Sequence, residues 1–202
     1  QKNLAELNKV GAALNSKRDI DKLLLLILTK CMEITASDAG SLYLVVEEKR
    51  SLPAAGELPT EKRLRFKIAK NNSREVAFTE FTMDISSKSI AGSVALSGES
   101  LSLEDAYHLP AGATYVLNKS YDESSGYRTK SVLTVPMKNT KDVMIGLIQL
   151  INKKYNARVK LAGEADVETY VRPFGKTDEA LAFSLAGAWE RAVGLLKSVR
   201  IA

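Results

Sequence analysis

Apolar residues recur along this chain in two periods, and the switch between them outlines a fold. Leu4, Leu7, Val10, Gly11 and Leu14 return every three or four residues, a narrow stripe that predicts a helix. Asn15 and Ser16 interrupt it. A second helix is expected behind Asp19, a residue suited to an N-cap, with Leu23, Leu24, Ile27, Leu28, Cys31 and Ile34 on its buried side. Ser37-Asp38-Ala39-Gly40 then breaks the helical period. Residues 41–46, rich in β-branched and aromatic side chains, read as a strand.

Prolines and a glycine mark residues 51–60 as a loop, and 63–69 alternates between basic and apolar positions, as a strand with one solvated face does. Asn71-Asn72-Ser73 is a turn signal, and residues 78–83 suit a short strand. Residues 89–96 are small and apolar between Ser89 and Gly98, which predicts a helix capped at both ends. The segment 101–126 is polar, with room for one short helix. Two nearly apolar runs, 130–137 and 143–151, flank a polar turn at 138–142 and predict central antiparallel strands. Residues 156–172 form a polar excursion without a readable pattern. From Thr177 a long helix is expected to the end, burying Leu181, Phe183, Leu185, Ala188, Trp189, Ala192, Val193 and Leu196. This order predicts an α+β fold: a central antiparallel sheet of about six strands. The N- and C-terminal helices would cover one face, and loops and short helices would form a pocket on the other.

Composition narrows the chemistry. With 45% apolar and 26% charged residues in 202, a folded domain is expected, and the aliphatic run 23–28 is far too short to span a bilayer. The net charge of +5 is dispersed, with no aromatic-rich basic patch or helix-turn-helix pattern, so no nucleic-acid partner is expected. One cysteine, Cys31, excludes an internal disulfide and suits a reducing compartment, hence the cytoplasm. One histidine, His108, with that one cysteine cannot build a His/Cys metal site. No nucleophile elbow, phosphate loop or dinucleotide fingerprint is present, so no catalytic residues are assigned. Cys31 reads as an inert core thiol rather than a reactive one, and His108 as part of a solvated loop. Gln149 stands out as the polar side chain in an apolar strand. A ligand, an internal partner or an outward orientation would each account for it.

Several segments in order resemble the GAF family of ligand-sensing domains: Asp38-Ala-Gly-Ser-Leu-Tyr-Leu44, Ser89-Ile-Ala-Gly-Ser-Val-Ala95, Gly126-Tyr-Arg-Thr129, Ser131-Val-Leu-Thr-Val-Pro-Met137 and Ile145-Gly-Leu-Ile-Gln-Leu-Ile-Asn-Lys153. Within that set, Asn152-Lys153 followed by Phe174 and Asp178-Glu179 resembles the Asn-Lys…Phe-x-x-x-Asp-Glu signature of the cyclic-nucleotide-binding subgroup, with an unusually long interval before Phe174. The resemblance implies a structural ion pair between Lys153 and Asp178. It also implies ligand contacts at Ser41, Ala91, Ser125, Thr129 and Gln149, with Asp105 and Tyr107 either lining the pocket mouth or capping their loop. Arg128 is read as a surface anchor or a phosphate clamp.

The resemblance further implies a non-catalytic regulatory domain excised from a larger bacterial signalling protein, with cyclic AMP or cyclic GMP as the ligand. Residues 1–16 would form a signalling and dimerisation helix, and 17–202 a single sensor domain. The expected partners are the small molecule, a second copy joined through the terminal helices, and a covalently linked output domain. Ligand binding would order segment 101–126 over the pocket. The alternative is a ligand-free homodimerisation module. A sulfoxide reductase of the same fold would need several reactive cysteines.

Overall fold

A computed structural model describes residues 17–49, 60–75 and 78–199. The stripe at Leu4–Leu14, the loop at 51–59 and the chain end at Ile201 lie outside the described residues.

Helix α1 (Lys17–Thr35) leads into β1 (Ser37–Lys49), which pairs antiparallel with β2 (Thr60–Asn71). A short β3 (Phe81–Asp84) and helix α2 (Ile90–Ser97) follow. Next come β4 (Leu101–Leu103), helix α3 (Ser120–Ser125) and the central pair β5 (Val132–Lys138) and β6 (Met144–Lys154). The polar excursion folds as helix α4 (Glu164–Tyr170) and a two-residue β7 (Val171–Arg172), and helix α5 (Lys176–Val199) ends the described chain. The seven strands form one sheet in the order β3-β2-β1-β6-β5-β4, with β7 paired to the end of β6. This is the expected α+β architecture, one strand larger.

Alternation within the central strands builds two different faces. Leu42, Leu133, Val135, Met137, Ile148 and Leu150 point to one side. There they meet Leu23, Leu24, Ile27, Leu28 and Cys31 of α1, and Phe174, Ala182, Leu185 and Ala186 at α5. The opposite face carries Ser41, Tyr43, Leu147 and Gln149, and is covered in part by α2. In β2 the register slips by one. Tyr43 lies opposite Phe66 but Leu42 opposite Ile68, leaving Lys67 as a bulge residue. Lys67 is 7% exposed and its ammonium meets Asp21 of α1 at 3.0 Å and Glu80 at 2.5 Å.

Four local expectations are corrected. Helix α1 is already formed at Lys17, so Asp19 sits inside it rather than at its cap. It ends at Ala36, whose φ of 54° turns the chain, and Ser37 to Gly40 already belong to the strand. The third strand is shifted towards Asp84. In α5 the large residues Leu181 and Phe183 are 42% and 50% exposed, while Ala182 and Ala186 are buried. Small side chains there join the shared core beneath α5. The expected burial of Ala188, Trp189, Ala192, Val193 and Leu196 falls outside the described side chains.

Helix α2 matches its sequence signals. The Ser89 hydroxyl accepts the amide of Gly92 at 3.0 Å, and Gly98 closes the helix at φ 69°.

Burial gives the core an alkaline weakness. The Cys31 thiol is pushed up to about 12 from an ordinary value of 9.0 by desolvation, and burial also raises Tyr43. A raised pKa in the fold means stability that is complete below the unfolded value and lost as pH climbs through the folded one. The unfolding midpoint should fall as pH rises above about 9, and a Cys31→Ala chain should lose the earliest part of that fall. A melting curve unchanged up to pH 11 would contradict it.

Candidate functional site

The register of the sheet sets Ala69, Ser41, Gln149 and Thr134 side by side across β2, β1, β6 and β5. Above this row lies a cavity of about 570 Å³. Ser41 and Gln149 stand in its floor, the first turn of α2 with Ser89, Ile90 and Ala91 in one wall, and the segment from Val116 to Asp122 in another. A further wall is aromatic. Phe66 packs against Tyr43, Phe78 and Phe81 with ring centroids 4.9, 5.2 and 5.0 Å away.

Of the residues expected to contact a ligand, Ser41, Ala91, Thr129 and Gln149 line this cavity. Ala91 is in the first turn of α2, where backbone amides have no acceptor within the helix and the dipole favours an anion. Gln149 has a partner inside the sheet: its Nε2 donates to the Thr134 hydroxyl at 3.2 Å. Thr129 is held by Asp122, itself part of the lining, which accepts its amide at 2.7 Å and its hydroxyl at 2.9 Å.

Asp105, Tyr107 and Ser125 are outside the cavity lining. Asp105 accepts from Arg128 at 2.9 and 3.0 Å, from His108 at 2.9 Å and from the Tyr107 amide at 2.9 Å. Burial alone would raise its carboxyl, and these donors outweigh it, holding it below the usual range. The Tyr107 hydroxyl donates to Asp122 at 3.1 Å, and its ring lies between Arg128 and Lys119 at 3.9 and 4.2 Å. Ser125 donates to the Tyr121 carbonyl at 2.6 Å and accepts the Tyr127 amide at 3.2 Å, closing α3. Arg128 is thus an anchor of its loop. A second, more open depression of about 600 Å³ lies over Tyr107, His108, Lys119 and Arg128. The Arg128 guanidinium is committed to Asp105 and the Tyr107 ring, so the less open, aromatic-walled cavity is the better candidate site.

None of the motif residues lines the cavity; they belong to the frame. Asn152, fully buried at φ 55°, accepts the Lys130 amide at 2.7 Å and donates to the Arg128 carbonyl at 2.8 Å, fixing the approach to Thr129. Lys153 donates to Asp178, which also accepts the Gly175 amide at 2.7 Å and so caps α5. Phe174 is buried in the helix-side core, and Glu179 pairs with Lys176 at 2.9 Å.

Sequence reasoning missed three groups. Asp122, 6% exposed, ties α3 to Thr129 and Tyr107. Asp38 and Lys154, 0% and 2% exposed, meet at 2.7 Å. Asp38 also accepts the Ser73 hydroxyl at 2.8 Å and the Tyr127 hydroxyl at 2.9 Å, and Lys154 donates to the Val159 carbonyl at 2.6 Å. Burial, then the Asp38 charge, push the Tyr127 phenol well above its ordinary value. The aromatic wall drew on Phe78 and Phe81, whose clustering with Phe66 only the sheet order reveals. Among the described residues no group of His, Cys, Asp or Glu is arranged to hold a metal, and no helix is long and apolar enough to cross a membrane.

The comparisons agree with this architecture. A family model described as GAF domain matches residues 19–187. Over 135 residues, 66% of this chain, the sequence is 27% identical to a probable 3′,5′-cyclic phosphodiesterase of Caenorhabditis elegans, of which it spans 17%. Over 64 residues, 32% of this chain, it is 42% identical to the dual 3′,5′-cyclic-AMP and -GMP phosphodiesterase 11 of Drosophila melanogaster, of which it spans 4%. The chain therefore covers less than a fifth of the length of these curated relatives. Among solved structures, the GAF domain of a phosphoenolpyruvate-protein phosphotransferase from Coxiella burnetii superposes with a TM-score of 0.61 at 16% identity, covering 100% of this chain and 96% of that one. With residues 19–187 matched and the sheet shared, the chain belongs to the GAF domain family.

Proposed function

We propose that this chain is a regulatory, non-catalytic sensor domain of a cytoplasmic signalling protein, that it binds a cyclic nucleotide in the 570 Å³ cavity, and that it relays occupancy through its terminal helices. One observation carries the reading: a helix start, a side-chain amide and an aromatic wall converge on a single cavity. The start of α2 at Ala91, with its positive dipole end, suits an anionic cyclic phosphate, Tyr43 and Phe66 suit a base, and Gln149 suits the base's polar edge. The similarity to cyclic-nucleotide phosphodiesterases supports the ligand class.

Relay would pass through the strands themselves. Ser41 and Gln149 face the cavity, whereas their neighbours Leu42 and Ile148 pack against the helix layer of α1 and α5. A ligand that fits one strand arrangement better than another shifts the helices by that difference in affinity alone. Residues 1–16 as a dimerisation helix, 17–202 as the sensor unit and a linked output domain complete the proposal. Leu25, Leu181 and Phe183, each more than 40% exposed on the paired helices, support a homodimer.

Isothermal titration with cyclic AMP and cyclic GMP tests it. Micromolar binding of at least one nucleotide is expected, weakened tenfold or more in Gln149→Leu. No heat and no thermal shift with either would overturn the sensor reading. A dimer that persists in that case, and dissociates in a Phe183→Glu variant, would favour the ligand-free dimerisation module that the exposed helix residues also support.

A further inference from the structure

We propose that Asn71 is a further ligand contact of the cavity, a hydrogen-bond donor fixed in its orientation, and that it takes an acceptor atom of the occupant; that this occupant is a nucleotide rests on the reading above. Asn71 ends β2 opposite Ala39 of β1, which pairs on its other side with Ile151 of β6, and all three line the cavity. Ala69, two residues earlier, stands in the floor row beside Ser41. The period of two along a strand therefore puts the Asn71 side chain on the cavity face. Tyr121 of α3 lines the cavity from a different wall.

An amide side chain can be turned either way unless its partners allow one choice, and here they do. The Asn71 Oδ1 accepts the backbone amides of Ser73 at 2.8 Å and Arg74 at 2.9 Å. A backbone N–H only donates, so the atom that meets both is the oxygen, and its two lone pairs are used. Nδ2 is the end left over. Among the described residues its one partner is the Tyr121 hydroxyl, at a long 3.4 Å from β2 to α3. One N–H of Nδ2 is thus without a partner among those residues, and the other is weakly held. The turn signal at Asn71-Asn72-Ser73 and the donor are the two ends of one amide. A base carbonyl, a bare ring nitrogen or a phosphate oxygen placed there would complete it, whereas an amino or ring N–H group would meet only a like donor.

Asn71→Asp keeps an oxygen for both backbone amides and puts an acceptor where the donor was. Asn71→Ser keeps an oxygen for the turn without adding charge and withdraws the donor. The whole chain is titrated with cyclic AMP and cyclic GMP. For each nucleotide that the wild type binds, serine should weaken binding about fivefold and aspartate about tenfold or more. The ligand-free aspartate variant should melt within about 3 °C of wild type, since its turn is intact. An affinity unmoved by serine, or tightened by aspartate, overturns the proposal. A second readout needs no nucleotide. In amide-labelled protein, N,N-dimethylacetamide, which has a carbonyl and no N–H, should shift the Asn71 side-chain signal along a saturating curve. Asn156, whose oxygen also accepts a turn amide but which is outside the cavity lining, should only drift linearly. Linear drift of both overturns the donor role. A saturating response at Asn71 in a chain that binds neither nucleotide upholds the donor and defeats the nucleotide reading instead.

Discussion

Replacing Lys154 with methionine should lower the unfolding midpoint by on the order of 10 °C, the larger of the two strongest effects expected in this domain. Lys154 is 2% exposed and its ammonium is shared between Asp38, at 2.7 Å, and the Val159 carbonyl, at 2.6 Å. Methionine fills nearly the same space, so packing changes little. What changes is Asp38, fully buried, whose charge would be left with only the hydroxyls of Ser73 and Tyr127. Removing one partner of a buried pair costs about 3–5 kcal/mol, more than the pair contributes relative to an apolar replacement. Adding Asp38→Asn to Lys154→Met should therefore recover part of the loss, which separates the stranded charge from lost packing. The same ammonium tethers the excursion after β6, so the single variant should also be cut faster by protease between residues 155 and 172. A single variant within 1 kcal/mol of wild type would contradict the argument.

Gly92→Ala should cost about 3 kcal/mol and abolish ligand binding, although alanine is the better helix former by about 1 kcal/mol. A β-carbon at position 92 would stand 2.1 Å from the Ser86 carbonyl oxygen and 2.7 Å from its amide nitrogen. Both are backbone atoms, so relief requires α2 or the preceding turn to move. Either movement disturbs Ala91 and the Ser89 cap at the cavity wall, and lifts Val94 from the core beneath. Chemical denaturation with titration of the nucleotide checks both parts; a variant as stable as wild type would show that the turn yields freely.

The elements that the sequence foretold are those in which local signals and tertiary demands coincide. Ser89 and Gly98 bracket α2 because caps are short-range chemistry. The apolar runs at Val132 and Met144 became strands because both faces of the sheet centre are covered. The buried side of α5 does not follow side-chain size: Ala182 and Ala186 face the core while Leu181 and Phe183 are exposed. In the candidate site, Ser41, Ala91, Thr129 and Gln149 were legible through family resemblance, and all four line one cavity. Asp122 was not, because its partners Thr129 and Tyr107 stand on either side of it at intervals no local period marks. The Asp38–Lys154 pair joins residues 116 positions apart, and nothing in either neighbourhood announces a buried charge. Thr134 looks like an ordinary strand residue until the register sets it against Gln149.

The bulge at Lys67 makes β2 one residue longer than regular pairing with β1 requires. Tolerance to length change along this strand is therefore lopsided. Loss of Lys67 would leave Phe66 opposite Tyr43 and Ile68 opposite Leu42, so each side chain would keep its face, at the expense of the ties to Asp21 and Glu80. Loss of a neighbouring residue such as Arg65 would instead turn Leu64 outward from its partners. Relatives of this chain that differ by one residue here are accordingly expected to carry the gap at Lys67, with the aromatic wall preserved on both sides of it.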